Sequence, residues 1–185
     1  MRNGADTTLS SSNDHHQLLR FLDFFLRLSV IPLSVASLWV MASNKQTNDA
    51  YGKVEFSNLS GLRYLVGINA ISTGYAIASV LLLCLRCFNS DWYLFISDQV
   101  MAYLMVTSGS AVAEVLYLAH EGDRKVSWSE VCSYYGMFCS KIKVSLALHF
   151  VALVCFIVLS LISAYRVFSK FEAPSLLSEE VGEQE

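Results

Sequence analysis

The chain has 185 residues, of which 54% are hydrophobic and 16% charged, and its formal net charge is −3. Soluble domains carry about 25% charge, so this composition excludes an ordinary soluble domain, and the slight acidity excludes a nucleic-acid surface. The length fits one domain or one compact bundle, with charges gathered in the first 20 residues, around 44–63, around 120–143 and after 165.

A bilayer core about 30 Å thick needs roughly 20 helical residues to cross it. Four apolar runs qualify, at about 21–42, 64–86, 96–119 and 144–166. They predict an all-α membrane protein, a four-transmembrane-helix bundle. Each run reads as apolar nearly all round, with no polar stripe at helical spacing, unlike the helices of a soluble bundle. The first run exceeds the roughly 7–15 residues of a signal-peptide core and follows a polar stretch, so it is expected to stay as a span.

Residues 1–20 are rich in Ser, Thr, Asn and Asp and are expected to be disordered. Span one, "FLDFFLRLSVIPLSVASLWVMA", contains Arg27 two turns inside and Pro32, which predicts a mild kink. The first loop is polar and carries a glycosylation sequon at Asn58, a few residues from span two. Span two places Ala70, Gly74 and Ala78 at i, i+4 and i+8, a spacing that lets another helix approach closely. A short turn makes spans two and three antiparallel neighbours. Span three carries Asp98 near its start, Glu114 near its end, and the small pair Gly109 and Ala113 between. A longer loop, "EGDRKVSWSEVCSYYGMFCSKIK", leads to span four, and residues 167–185 form an acidic, disordered tail. In that tail Glu172, Leu176 and Leu177 resemble an acidic dileucine sorting signal. No P-loop, GxGxxG, HExxH or supported Ser-His-Asp arrangement is present, so no catalytic residue, metal site or cofactor is predicted.

An even number of spans puts both termini on one side. That side carries Arg2, Arg20, Arg86, Arg166 and Lys170, five cations; the loop side carries Lys45, Lys53, Arg63, Arg124, Lys125, Lys141 and Lys143, seven. The count slightly disfavours cytosolic termini. The cysteines argue the other way. Cys132 and Cys139 share the third loop, and a loop pair reads as a disulfide in an oxidising compartment. Seven residues along a straight helix separate Cα atoms by about 10.5 Å, while a disulfide needs less than about 7 Å. Either the loop bends between them, with Gly136 available for the bend, or they are two free thiols on one helix face. Zinc is poorly served, because no matching His pair accompanies them.

The Arg of "FLRLSV", the Asp of "SDQVMAYL", the run "YLAHEGD" and the segment "WSEVCSYYGMFCSKI" together resemble the CASP-like proteins of land plants, relatives of the Casparian strip membrane domain proteins and, more broadly, of the MARVEL tetraspans. The resemblance covers about residues 18–168. It implies a multi-pass plasma-membrane protein with cytosolic termini and no enzymatic activity. It also implies homo- or heteromeric self-association into a scaffold that organises a membrane patch, linked to local cell-wall modification. The partners so implied are membrane lipid, further copies and family members, and extracellular or cell-wall proteins. Carried over by position, the family's span-one Arg is Arg27, its span-three Asp is Asp98, and its loop cysteines are Cys132 and Cys139. The first loop lacks the apolar, Pro-containing signature of strip-forming members, so the chain resembles a general CASP-like member.

An ionised carboxylate in hydrocarbon costs several kcal/mol unless paired. With cytosolic termini, Arg27 and Asp98 lie at matched shallow depth and can neutralise each other; Asp23, one turn before Arg27, competes for it. Glu114 lies sixteen residues beyond Asp98, roughly 160° round the helix and about 24 Å along it. It either meets His149 of span four or reaches the headgroups unpaired. The alternative to a scaffold is a subunit of a small transporter or channel, which would want polar residues continuing through the midplane on one face.

Overall fold

The computed structural model describes residues 3–48, 52–85, 91–122 and 131–172. In chain order these form α1 (Asn3–Ala42), β1 (Lys45–Asn48), β2 (Gly52–Glu55), a short 3-10 turn (Phe56–Asn58), α2 (Ser60–Leu85), α3 (Asp91–Glu121), α4 (Val131–Tyr134) and α5 (Gly136–Glu172). Helices α1, α2, α3 and α5 each contain a segment long and apolar enough to cross a membrane: Gln17–Ala42, Ser60–Leu85, Trp92–Glu121 and Gly136–Ser169.

The helices overrun the apolar runs. α1 begins at Asn3, where disorder is expected from composition; the segment up to Arg20 has no proline, and elongating an existing helix adds a hydrogen bond per residue without a new nucleus. α1 also continues unbroken past Pro32, which faces outward. α5 begins eight residues before the predicted span because Phe138 and Ile142 are buried against Leu62, Leu65 and Val112. It ends at Glu172, two residues before Pro174, whose ring disfavours helical geometry in its predecessor. In the first loop β1 and β2 pair antiparallel, Lys45 opposite Glu55 and Asn48 opposite Gly52.

The expected absence of a polar stripe is wrong, and the reason is instructive. The buried positions of α1 are Asp23, Arg27, Val30, Ser34, Ser37 and Met41, in alternating steps of four and three residues, and Asn44, two residues past its end, continues the series. Four of the six in α1 are polar or charged. Its outward face carries Phe21, Phe25, Leu28, Val35 and Trp39. α2 repeats the pattern with Leu62, Leu65, Asn69, Ser72, Ala76 and Ser79. A mean step of 3.5 residues is the seam spacing of left-handed helix bundles. The helices are thus inside-out: lipid takes the apolar surface, and the polar seam closes on itself, where among the described residues Asn44 Oδ1 alone of the buried side-chain polar atoms lacks a hydrogen-bond partner.

α1 packs against α2 and α5, and α3 packs against α5 and α2. The ring order is therefore α1–α2–α3–α5, with α1 diagonal to α3 and α2 diagonal to α5. Spans one and three are not side-by-side neighbours; they meet across the bundle axis.

Candidate functional site

On the side of the termini, one ionic layer fills the bundle axis. Arg27 and Asp98 meet as a two-pronged pair: Nη1 donates to Oδ1 at 2.9 Å and Nη2 to Oδ2 at 2.6 Å. Tyr75 donates to Asp98 Oδ1 at 2.6 Å and Ser163 to Oδ2 at 2.8 Å. Each carboxylate oxygen thus accepts two hydrogen bonds. Asp23 is not a rival to Asp98 but a second partner. Arg27 Nε donates to its Oδ1 at 3.2 Å, and Arg166 Nη1 donates to its Oδ2 at 3.3 Å. Arg166 also holds the Leu19 carbonyl at 3.1 Å.

Asp23, Arg27 and Asp98 are each no more than 1% exposed. Two carboxylates and two guanidiniums sum to zero charge, and all four helices contribute: α1 (Asp23, Arg27), α2 (Tyr75), α3 (Asp98) and α5 (Ser163, Arg166). Planar guanidinium forks match carboxylates in two parallel bonds, which sets geometry as well as charge.

A second polar layer lies deeper, and the sequence reading missed it. Ser37 donates to the Ser145 carbonyl at 2.9 Å while Ser145 donates to the Ser37 carbonyl at 2.8 Å, a reciprocal clasp between α1 and α5. Asn69 Nδ2 donates to Ser37 Oγ at 3.1 Å, and Ser72 Oγ lies 3.0 Å from Ser34 Oγ. His149, fully buried, places Nδ1 3.0 Å from Asn69 Oδ1 and Nε2 2.9 Å from the Met105 carbonyl, with Ser108 Oγ 3.2 Å away. The Arg27–Asp98 pair spans one diagonal of the bundle, and the Asn69–His149 pair spans the other. The available signal was the 3.5-residue spacing of Ser34, Ser37, Asn69 and Ser72 with the seam.

Glu114 does not meet His149. It is exposed, as its roughly 160° rotation from the axis-facing Asp98 requires, while His149 turns inward to Asn69 and Met105. The small residues divide. Gly109 is buried, and a Cβ there would stand 3.3 Å from His149 Cδ2 and 3.4 Å from its Nε2; Ala113 packs beside Val112 and Leu116. Ala70, Gly74 and Ala78 instead face outward, exposed on the surface that the described residues form. Gly67 lies on the same face, and a Cβ at Gly67 or Gly74 would meet nothing within 4 Å.

Cys132 and Cys139 are joined, with Cα atoms 5.7 Å apart. The bend falls at Tyr135, the single non-helical residue between α4 and α5, and Gly136 is the first residue of α5. Cys139 therefore belongs to the first turn of α5 rather than to a loop. The first loop braces that turn: Gln46 Oε1 accepts from the Phe138 N–H at 2.9 Å, and Asn44 Nδ2 donates to the Phe138 carbonyl at 3.0 Å. Asn58 closes the short 3-10 turn before α2. Glu172 is the last residue of α5, while Leu176 and Leu177 lie outside the described residues. Among the described residues there is no cluster of three His, Cys, Asp or Glu side chains able to hold a metal ion.

Residues 16–155 match the Casparian strip membrane protein domain. A "CASP-like protein 2D1" of Populus trichocarpa is 53% identical over 167 residues, covering 90% of this chain and 98% of the relative. The protein of the same name from Oryza sativa subsp. indica is 58% identical over 157 residues, covering 84% and 78%. That of Glycine max is 46% identical over 182 residues, covering 98% of each. No solved structure matches the chain.

Proposed function

The chain belongs to the Casparian strip membrane protein family, and from that premise we propose that it is a non-enzymatic scaffold of the plasma membrane that associates with further copies or family members. Both termini face the cytosol and the disulfide-bearing loop faces the cell wall, where it meets extracellular proteins and links the membrane patch to local wall modification. The observation that carries the reading is the division of labour between faces. Inside, Arg27, Asp23, Asp98 and Arg166 satisfy one another. Their chemistry is spent on holding four helices at fixed positions. Outside, Gly67, Ala70, Gly74 and Ala78 leave a shallow, open track on α2, flanked by exposed Ile71, Ile77 and Leu81. Lipid offers no hydrophobic drive for helix pairing, so close backbone approach along such a track is the favourable route.

The transporter reading has its polar midplane residues, contrary to the expectation from sequence. They do not form a path. Between the ionic layer and the His149 layer, Val30, Met101, Leu153 and Phe156 belong to one buried apolar cluster.

The test is energy transfer between labelled copies in vesicles, titrated against lipid. Wild type is expected to associate, and Gly67→Leu with Gly74→Leu to weaken association by roughly tenfold, about 1.4 kcal/mol. Wild type that stays monomeric at high protein density, with or without a co-reconstituted family member, would remove the scaffold reading.

A further inference from the structure

Beside the disulfide lies a cavity of about 360 Å³, lined by His120 at the end of α3, by Cys132 of α4, and by Cys139, Ser140 and Lys143 of α5. That size is within the range of small-molecule sites, about 300–1,000 Å³. The two sulfurs differ in setting. Cys132 is partly exposed, while Cys139 is 4% exposed. Cys139 also sits in the first turn of α5, a helix of 37 residues, where the helix dipole favours negative charge. Lys143 follows it by four residues, one turn along the same face, and lines the same cavity. His120 stands across the cavity, 3.5 Å from Glu121.

We propose that this cavity is a site of thiol–disulfide exchange that takes a small anionic thiol, attacked sulfur Cys132 and leaving sulfur Cys139. The incoming thiolate attacks Sγ of Cys132. A new S–S bond forms between them as the Cys132–Cys139 bond breaks, and the electron pair leaves on Cys139 Sγ. The cysteine thiolate so formed takes up the proton that the attacking thiol gave up. The protein then carries a mixed disulfide on Cys132 and a free thiol at Cys139. A second thiol attacking the mixed disulfide releases the oxidised small-molecule disulfide and leaves both cysteines reduced, so two electrons pass from two thiols to one protein disulfide.

The direction follows from two independent features. The accessible sulfur receives the nucleophile. The buried one is the better leaving group, because a cation and a helix N-terminus lower the cost of a thiolate there. The same lysine draws an anionic thiol into the cavity. Exchange unfastens α4 from α5 at the Tyr135 bend, while Gln46 and Asn44 still hold the Phe138 backbone. The α5 helix stays in place, and what changes is the loop-side surface.

The test uses the full chain in lipid nanodiscs, incubated with reduced glutathione, quenched with N-ethylmaleimide and mapped by peptide mass spectrometry. The expected product carries glutathione on Cys132 and maleimide on Cys139. Lys143→Gln is expected to slow adduct formation roughly threefold or more, and Lys143→Arg to keep the wild-type rate. An adduct on Cys139, an even split between the two sulfurs, a rate indifferent to Lys143→Gln, or a disulfide that glutathione opens only after unfolding would each overturn the proposal.

Discussion

Asp98 explains why a carboxylate survives in an apolar run. Four donors reach it, two of them charged. The magnitudes separate these contacts. Removing one member of a buried ion pair costs about 3–5 kcal/mol, because the other is left uncompensated. A neutral hydrogen bond between membrane helices averages only about 0.6 kcal/mol. Arg27→Leu and Asp98→Leu should therefore each lower stability severely, whereas Tyr75→Phe should cost about 1 kcal/mol or less. The double change Arg27→Leu with Asp98→Leu should recover part of the loss, although Asp23 is then left with Arg166 alone. Denaturation of the four variants in detergent gives the cycle directly, and simple additivity would mean that the pair is not energetically coupled. The Arg27–Asp98 meeting was legible because its alternative, an isolated charge in lipid, is so costly. His149 was harder to place. A histidine, an asparagine and a few serines cost little enough to scatter through any span, and only their place on the 3.5-residue seam reveals them.

At the scale of the element, glycine identity means opposite things on α2 and α3. A methyl group at Gly109 would press on the ring of His149, which is fixed by Asn69 and the Met105 carbonyl and cannot retreat. Overpacking of that kind costs typically about 1–3 kcal/mol. A methyl group at Gly74 meets open space, and alanine is the better helix former by roughly 0.5–1 kcal/mol. Gly109→Ala should lower the melting temperature of the isolated chain and Gly74→Ala should leave it equal or higher. Equal losses at both sites would show that the α3–α5 approach has no special closeness. The small-residue spacing was visible in the sequence for both helices, but which face each set occupies was not, because facing depends on the partner helix. Element ends were misjudged for a similar reason. Hydropathy stops at Lys143, yet α5 extends back to Gly136, because Phe138 and Ile142 find buried neighbours outside their own segment.

Across the whole molecule, layers alternate along the bundle axis: ionic, apolar, hydrogen-bonded, apolar, and at the loop side the brace of Asn44 and Gln46 on α5. The layering leaves sidedness to be decided by charge and by redox compartment. The cation count of five against seven disfavours cytosolic termini, and discounting Arg166, which is engaged with Asp23, widens it to four against seven, so the redox argument stands against the charge count. The disulfide and the exposed Cys84 then provide a direct readout, since they lie at opposite ends of the bundle. A charged maleimide does not cross a bilayer, because moving its charge through hydrocarbon is prohibitively costly. Applied to intact protoplasts expressing the chain with Cys87→Ser, it should label nothing at first. After an impermeant reductant it should label Cys132 and Cys139, and only after permeabilisation should it label Cys84. Labelling of Cys84 from outside, with Cys132 and Cys139 silent until the membrane is opened, would invert the topology and place the loops, and the thiol-exchange cavity with them, in the cytosol.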